Sequence, residues 1–407
     1  MSKIDGVKNC KGLWSNYVDE WNVQVTFHVF ILVWGQNFVR KFVEFSLPAQ
    51  LMPGNLPTLG QDSNVVYHIY TDRRSGHALE AAIAILRGVV DVEIHYLEDL
   101  SDNNGRLVLM VAAPLKSPEY KYFLQKHCVR DCAKYASEGE DALILLDSNF
   151  VIADGGLGRL AASWKNGIRA IMVSVLRTNE AAFTNIWQQN HKSIASDKLF
   201  ETARQYFHPL QKSYFVGSDA PTSYPIQVCW PVAGDQIYTR SFLPHPLMVP
   251  VRPAIGKYQS TMDYDLALRV CEDSEISICE NSDEILICKF SEISHQAASS
   301  PGPALTPENL ALFILTSTHH RHRQFSSVGI QFRGASGCGN WKEVESHAKK
   351  FIDRAYEEVD RIIALGAKLD ARFFMYIKSY LGPIEDYMSP EIEPAELRNL
   401  MRQEILR

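Results

Sequence analysis

Apolar and polar residues alternate with strand-like and helix-like periods from residue 24 to about residue 176. Five apolar stretches have the length of buried strands, and segments with helical spacing separate them. The predicted strands are Gln24 to Trp34, Val65 to Thr71, Val92 to Tyr96, Ala142 to Asp147 and Arg169 to Val175. Since strands that alternate with helices build parallel sheets, we expect an α/β fold with a doubly wound, mostly parallel sheet.

Helices are expected between these strands, and the pattern changes after residue 176. The predicted helices cover residues 38–49, Ala78 to Leu86, Tyr120 to Tyr135 and Gly156 to Lys165, the last ended by Asn166-Gly167. One or two helices are expected within Asn179 to Tyr206. Eight prolines then separate short strands and loops between residues 209 and 253, and Ile276 to Ile278 with Ile285 to Phe290 is predicted to form a hairpin.

The Pro- and Ser-rich residues 294–307 have the composition of a linker or surface loop. We therefore expect a main domain over residues 1–293, with a nucleotide-sugar half at about 24–176 and an acceptor half at about 177–293, and a mainly helical region over 308–407. The expected C-terminal helices are Pro307 to Ser317, Trp341 to Leu365, Asp370 to Tyr380 and Pro394 to Leu406.

The overall charge narrows the class of partner. A formal charge of -6 on 407 residues is mild, so we expect a small molecule or a neutral polymer and no nucleic acid. Apolar runs are far shorter than the roughly 20 residues of a membrane-spanning helix, and the first residues lack the apolar core of a secretory signal. A cytoplasmic protein without a transmembrane segment is the expectation.

The 8 cysteines are scattered without a Cys-x-x-Cys pair, which is typical of reduced, buried thiols. Cys128 and Cys132, with His127, can share one helical face and bind a metal ion. A tetrahedral site needs further ligands and none lies close in sequence, so buried thiols are the favoured interpretation.

Candidate chemistry lies where the predicted strands end, because ligands of open parallel sheets bind outside the carboxyl ends of the strands. Residues 34–37, 70–74 and 147–149 occupy these positions. Neither Gly-x-Gly-x-x-Gly nor a P-loop follows the first strand. An acidic strand end can instead hold a ribose hydroxyl or a Mg²⁺ or Mn²⁺ ion that bridges diphosphate oxygens.

The segment from Leu145 to Leu160, in which Asp147-Ser148-Asn149 ends a strand and a helix follows, resembles GT-A-type glycosyltransferases. Residues 27–35, 70–72 and 261–269 are similar to other parts of that family. The resemblance implies a hexosyltransferase-type enzyme that takes a nucleotide-sugar donor and a glycan, lipid-linked or other hydroxyl acceptor. The donor-binding residues that it and the strand ends indicate are Trp34, Gly35, Thr71, Asp72, Asp147, Asn149 and Asp154.

Metal binding at the acidic strand end is open, because Asn149 stands where the family has its second carboxylate. A metal set of Asp147, Asn149 and His245 would suit Mn²⁺ or Mg²⁺. Alternatively, Arg and Lys neutralise the donor diphosphate without an ion. His245 stands between two prolines and can equally be a turn residue, while Asp147 and Asp154 can cap the following helix.

Asp263 and Asp265 are the candidate catalytic residues, because an inverting sugar transfer needs a carboxylate that accepts the proton of the acceptor hydroxyl. Asp263 is the preferred base. Helix capping is the competing role for Asp263, and the sequence does not decide between inversion and retention of the sugar configuration.

The basic run His319-His320-Arg321-His322-Arg323 can bind a diphosphate, a phosphorylated acceptor or the surface of an anionic membrane. Arg321 and Arg323 are therefore further candidate donor-binding residues, and a solvated basic loop is the competing interpretation.

Two other functions stay open. The degenerate Asp147-Ser148-Asn149 also fits a noncatalytic protein that binds nucleotide sugars or carbohydrates. A nucleotidyltransferase ranks last, since the usual glycine-rich loop with Arg and Lys is missing after the first strand.

Overall fold

A computed structural model describes residues 25–115, 119–181, 184, 193–233, 236–257, 264–292, 301–335, 339–366 and 380–384. The strands are β1 Thr26–Leu32, β2 Asn64–Thr71, β3 Asp91–Tyr96, β4 Ala142–Asp147, β5 Phe150–Ile152, β6 Ala170–Val173, β7 Leu176–Asn179, β8 Gln227–Val232, β9 Gln236–Ser241, β10 His245–Pro250, β11 Ile276–Ile278, β12 Ile287–Ser291 and β13 Ile330–Phe332. The helices are α1 Gln36–Lys41, α2 Leu47–Gln50, α3 Leu56–Asp62, α4 Arg73–Leu86, α5 Val108–Ala112, α6 Glu119–Cys132, α7 Arg159–Lys165, α8 Ser196–Gln205, α9 Pro209–Lys212, α10 Ala254–Lys257, α11 Leu266–Val270, α12 Pro307–Ser317, α13 Arg323–Ser327 and α14 Trp341–Gly366.

A seven-stranded sheet with the order β11-β6-β10-β4-β1-β2-β3 forms the centre of the fold. β1 pairs in parallel with both β2 and β4, so the chain moves outward to β3 and then returns to the other side of β1. β10 is antiparallel to both of its neighbours, β4 and β6. The mostly parallel α/β sheet is confirmed, and its direction of winding reverses between β1 and β4.

Alternate residues of the central strands enter two separate cores. In β1, Phe27, Val29 and Ile31 face one core, whereas Phe30 and Leu32 face the other. Helices α3, α4 and α7 contribute to the first core, and α5, α6 and α11 contribute to the second. A sheet buried on both faces explains why the central strands appear as continuous apolar runs in the sequence.

Two three-stranded sheets extend the fold, with the orders β5-β12-β7 and β13-β9-β8. The predicted hairpin between Ile276–Ile278 and residues 285–290 is wrong. β11 pairs in parallel with β6 in the main sheet, whereas β12 lies between β5 and β7. β12 is buried on both faces apart from the half-buried Lys289, so it needs partners on both edges, and a two-stranded hairpin cannot supply them.

The C-terminal residues pack against β8 and β9. β13 pairs with β9, and helices α12 and α14 share a core with Val228, Trp230 and Tyr238. α12 begins after the capping residue Thr306, whose side chain accepts a hydrogen bond from the backbone N–H of Asn309. Within the predicted linker, residues 294–300 lie outside the described residues, and Pro301 forms a β-bridge with Thr222. The domain boundaries stay a prediction.

The predicted elements of the first 176 residues match the structure closely. β4 has the predicted bounds, and the predicted helix 38–49 corresponds to α1 and α2, which a π-helical segment at Phe42–Ser46 joins. The six described cysteines are free and buried, as expected of buried structural thiols. Among the described residues, no helix is both long and apolar enough to cross a bilayer. The predicted helix over residues 394–406, and residues 370–379 of the other, lie outside the described part.

Candidate functional site

The carboxyl ends of β1 and β4 meet where the winding of the main sheet reverses. Leu32 at the end of β1 is paired with Asp147 at the end of β4. Because β10 is antiparallel to β4, its first residue, His245, lies at the same edge, and its ring Nε2 is 2.8 Å from the carbonyl oxygen of Leu145. Open α/β sheets bind their ligands at such an edge.

Asp147 forms an ion pair with Lys289, which β12 contributes from a different sheet. Burial disfavours the charged form of Asp147, but the positive charges of Lys289 and Lys121 outweigh it and hold the pKa of Asp147 below its ordinary value. Burial, with Lys121 and Arg177 nearby, lowers the pKa of Lys289, although Asp147 opposes that shift. The edge therefore combines one carboxylate with three cationic side chains.

Asn149 and His245 have partners in the protein. The Asn149 side-chain amide donates to the carbonyl oxygen of Phe290 at 2.6 Å, and the Asn149 side chain is buried. The His245 ring packs edge-on against Phe150, with centroids 4.9 Å apart. Burial lowers the pKa of His245, although the charge of Asp147 opposes the shift. Asp147 and His245 thus lie at one edge with the Lys289 ammonium group at the carboxylate, whereas the Asn149 amide binds Phe290. The predicted metal set of Asp147, Asn149 and His245 stays a prediction.

An open cleft of about 520 Å³ lies between helices α1 and α4. Its lining contains Gly35 and Gln36 after β1, together with Asp72 and Ser75 after β2. Gly35 has a φ of 78°, in the left-handed region that favours glycine. The neighbouring Asn37 donates a 2.7 Å hydrogen bond to Glu292, which directly follows β12, so the cleft and the Lys289 strand are connected.

A short hydrogen-bond network fixes the wall of the cleft. Asp72 is the N-cap of α4, where its carboxylate accepts from the Ser75 backbone N–H and hydroxyl, both at 2.8 Å. The Ser75 hydroxyl in turn accepts from the Gly35 N–H at 3.0 Å. Thr71 is fully buried beneath this network, and the half-buried Trp34 stacks on Phe38 with centroids 6.3 Å apart. Since an Asp72 carboxylate accepts only, it suits the hydroxyls of a ribose or an N–H of a base.

Asp154 lies in a turn after β5, and its hydrogen-bond partners differ from those of Asp147. Its carboxylate accepts from the Gly54 N–H at 2.7 Å and from the Ser193 hydroxyl at 2.6 Å. These bonds connect the α2–α3 loop to the residues before α8. Its predicted role toward a donor stays a prediction.

Of the two candidate bases, Asp263 lies outside the described residues and Asp265 is buried at the start of α11. The Asp265 carboxylate is 1% exposed and forms a 2.6 Å ion pair with Arg269 one turn along the chain. A carboxylate bound to a guanidinium is a weaker proton acceptor, so the role of Asp265 as a base stays a prediction.

The basic run at residues 319–323 follows α12 and ends at the first residue of α13, and its side chains also have partners within the protein. Arg321 donates to the carbonyl oxygens of Leu268 and Cys271 and pairs with Asp273 at 2.5 Å. Arg323 lies over the ring of Tyr356 at 4.4 Å. Their predicted contact with a donor stays a prediction.

Three histidines that the sequence analysis did not single out form a row beneath α6. The row consists of His28 on β1, His68 on β2 and His95 on β3, with successive ring nitrogens 2.9 and 3.0 Å apart. Among the described residues, His68, Glu93 and His95 form the one group whose ligand atoms lie close enough together to bind a metal ion. Each histidine comes from a different strand, so no local sequence motif predicts the row.

No known protein-family profile matches the chain, and none of the curated proteins is similar to it in sequence. Among solved structures, it is similar to the crystal structure of mouse xyloside xylosyltransferase 1 in its apo form. The match has a TM-score of 0.27 and 13% identity, and it covers 41% of this chain and 59% of the mouse chain. The match thus covers less than two thirds of the length of that protein. Because the TM-score is low, the function is inferred from the residues of the site alone.

Proposed function

We propose that this protein is a glycosyltransferase that moves a sugar from a nucleotide-sugar donor to a hydroxyl group of a glycan or lipid-linked acceptor. The observation that supports the proposal is the polar edge where the winding of the sheet reverses, which carries Asp147, Lys289 and His245, together with the cleft at Gly35 and Asp72 after strands β1 and β2. Asp72 would accept from the ribose or the base, and the diphosphate would extend toward Lys289.

The charges at this edge favour a reaction in which lysine, rather than a metal ion, neutralises the diphosphate. Lys289 already pairs with Asp147, while Lys121 and Arg177 lie within electrostatic range of Lys289. As the donor binds, the diphosphate would share these cations with Asp147. The leaving nucleoside diphosphate gains negative charge as the bond to the sugar breaks, so fixed cations at that position stabilise the transition state.

In the proposed single displacement, the acceptor oxygen attacks the anomeric carbon as its proton passes to a carboxylate. The nucleoside diphosphate leaves with the electron pair of the broken bond. Asp263 is the proposed base, since Asp265 is already paired with Arg269.

A panel of nucleoside diphosphates and nucleotide sugars tests the proposal by calorimetry and by assays of hydrolysis and transfer, with Mn²⁺ and with EDTA. We expect one class of nucleotide to bind and turn over, with activity retained in EDTA. Lys289→Gln should weaken donor binding at least tenfold, whereas Lys198→Gln, at an exposed i,i+3 pair with Glu201, should leave it unchanged. If no member of the panel binds, the proposed function is wrong.

The second candidate is a noncatalytic protein that binds nucleotide sugars. Asn149 supports this alternative, because an amide that donates to Phe290 stands where an acidic pair would have its second carboxylate. Donor binding without hydrolysis or transfer would favour it over the enzyme.

A further inference from the structure

The histidine row lies on the α6 side of the main sheet, away from the α1–α4 cleft. His68 is fully buried, whereas the side chain of His95 is 12% exposed and that of Glu93 is 49% exposed. All three project from the same face of β2 and β3, because His68 is paired with Glu93 and Tyr70 with His95. The cluster is therefore enclosed by the protein but reachable from solvent along Glu93.

The spacing of three ligand atoms fits a metal ion. His68 Nδ1 and His95 Nε2 are 3.0 Å apart, and Glu93 Oε2 is 3.9 Å from each of them. The point equidistant from the corners of this triangle lies about 2.1 Å from each atom, which is the bond length of zinc to imidazole nitrogen and carboxylate oxygen. An ion displaced slightly from the plane of these three atoms has a fourth, tetrahedral position open to water.

A second set of contacts orients the buried ligand. The Nε2 atom of His68 is 2.9 Å from Nδ1 of His28, and Nε2 of His28 faces the Asp141 carboxylate at 3.4 Å. Asp141 is itself held by the backbone N–H groups of Thr26 at 3.0 Å and Ser137 at 2.7 Å. With protons on the Nε2 atoms of His28 and His68, the lone pair of His68 Nδ1 points toward Glu93 and His95. Metal-bound histidines are typically oriented by such a carboxylate-terminated chain.

The charges around the cluster agree with this arrangement. Asp131 adds a negative charge close to His95 and accepts a 3.0 Å hydrogen bond from Tyr70. Together with Glu93 and Asp141, it attracts a cation.

We infer that His68, Glu93 and His95 bind a divalent transition-metal ion of the zinc type, which connects the edge strand β3 to β2. Two imidazoles and one carboxylate suit zinc, cobalt or nickel better than magnesium or calcium, which prefer all-oxygen sites. This site is independent of the proposed sugar transfer, and its residues belong to neither the cleft nor the Asp147 edge.

Titration of the EDTA-treated and dialysed full chain with ZnCl₂ alone tests the inference by calorimetry, and CoCl₂ supplies a visible spectrum that reports the ligand geometry. We expect one tight equivalent of zinc and a tetrahedral cobalt spectrum. His95→Gln should weaken zinc binding at least a hundredfold, and Glu93→Gln at least tenfold. The matched controls, His77→Gln and Glu80→Gln, alter an exposed histidine–glutamate pair 3.0 Å apart on α4 and should leave zinc binding unchanged.

Circular dichroism of the metal-free variants establishes that they are folded. Glu93→Gln changes a half-exposed side chain, so it keeps the test valid if His95→Gln fails to fold. Absence of a tight zinc equivalent, or equal affinity in the wild type and in a folded Glu93→Gln or His95→Gln variant, would overturn the site. The histidine row would then be a structural hydrogen-bond chain.

Discussion

Asp147 and the basic run at residues 319–323 both carry charges suited to a nucleotide, but the protein surrounds them differently. Asp147 lies at the edge of the main sheet, and its cation, Lys289, comes from another sheet. In the basic run, Arg321 binds two backbone carbonyl oxygens and Asp273, while His319 and His322 are buried. The density of charge along the chain therefore does not by itself mark a binding site, and the partners of each charge decide its role.

The largest expected effect is a loss of unfolding free energy at the Asp147–Lys289 ion pair, which exposed ion pairs should not show. Asp147→Ala or Lys289→Ala leaves one mostly buried charge without its partner and should lower the free energy of unfolding by about 3 kcal/mol, measured by urea denaturation. The double variant should lose clearly less than the sum of the two. The exposed pair Lys349 and Asp353, treated in the same way, should show a coupling of about 0.5 kcal/mol or less. Simple additivity at Asp147 and Lys289 would contradict the pairing.

Arg321→Gln tests whether the basic run acts within the fold. It removes charge-assisted bonds to two carbonyl oxygens and to Asp273, so we expect a loss of about 2 kcal/mol in unfolding free energy. Donor affinity should change less than twofold. Arg361→Gln, at an exposed pair with Glu358, is the control for stability. A large loss of donor affinity with unchanged stability would instead favour the predicted donor role of Arg321.

Acid should weaken the region of the basic run before it weakens the Asp147 pair. Burial lowers the pKa of His322 from its ordinary 6.5 to about 3, so the unfolded chain binds a proton that the folded protein excludes. The stability due to neutral His322 is complete above pH 6.5 and is lost progressively as the pH falls toward 3. By pH 5.5 the loss is about 1.4 kcal/mol.

Denaturation curves at pH 7.5 and 5.5 should show a smaller pH dependence in His322→Asn, which keeps an acceptor for the His319 N–H. The contribution of Asp147, whose pKa is lowered, should persist until the pH falls below its ordinary value of 3.8. An unchanged pH dependence in His322→Asn would exclude His322 as the source.

The smallest expected effect concerns the shape of the cleft. Alanine at Gly35 meets no neighbouring atom but must adopt a φ of 78° with a ψ of 145°, which costs about 1 kcal/mol or more. If the strain shifts the loop after β1, donor affinity should fall about fivefold. Gly105→Ala also requires a positive φ, of 75°, in an exposed loop and should change stability alone. Equal donor affinity in both variants would show that the Gly35 loop does not contribute to donor binding.

The central sheet could be predicted from the sequence because each strand is a short apolar run, followed by a segment whose apolar residues have helical spacing. β4 and α12 were predicted residue for residue. The positions of β11 and β12 were predicted but their pairing was not, since two short apolar runs separated by six residues resemble a hairpin whichever sheet each one joins. Their partners lie about a hundred residues earlier in the chain.

The site could be predicted only where its residues follow strands. Asp72 and Asp147 were found in this way, whereas Lys289 lies within a strand of the second sheet and gave no local signal. His28, His68 and His95 are 40 and 27 residues apart. One signal was present: each histidine occupies the same face of its strand as the apolar residues two positions away, such as Phe30 and Tyr70. Comparing the faces of neighbouring strands would have placed the three rings side by side.

The antiparallel strand β10 has a consequence for how the chain folds during synthesis. β4 is flanked by β1 on one side and by β10 on the other, yet β10 is about a hundred residues further along the chain. Until residues 245–250 leave the ribosome, one edge of β4 is an unpaired apolar strand, which is a template for aggregation. We therefore expect truncated chains that end near residue 180 to aggregate or to bind chaperones, and chains that extend beyond β11 to become soluble.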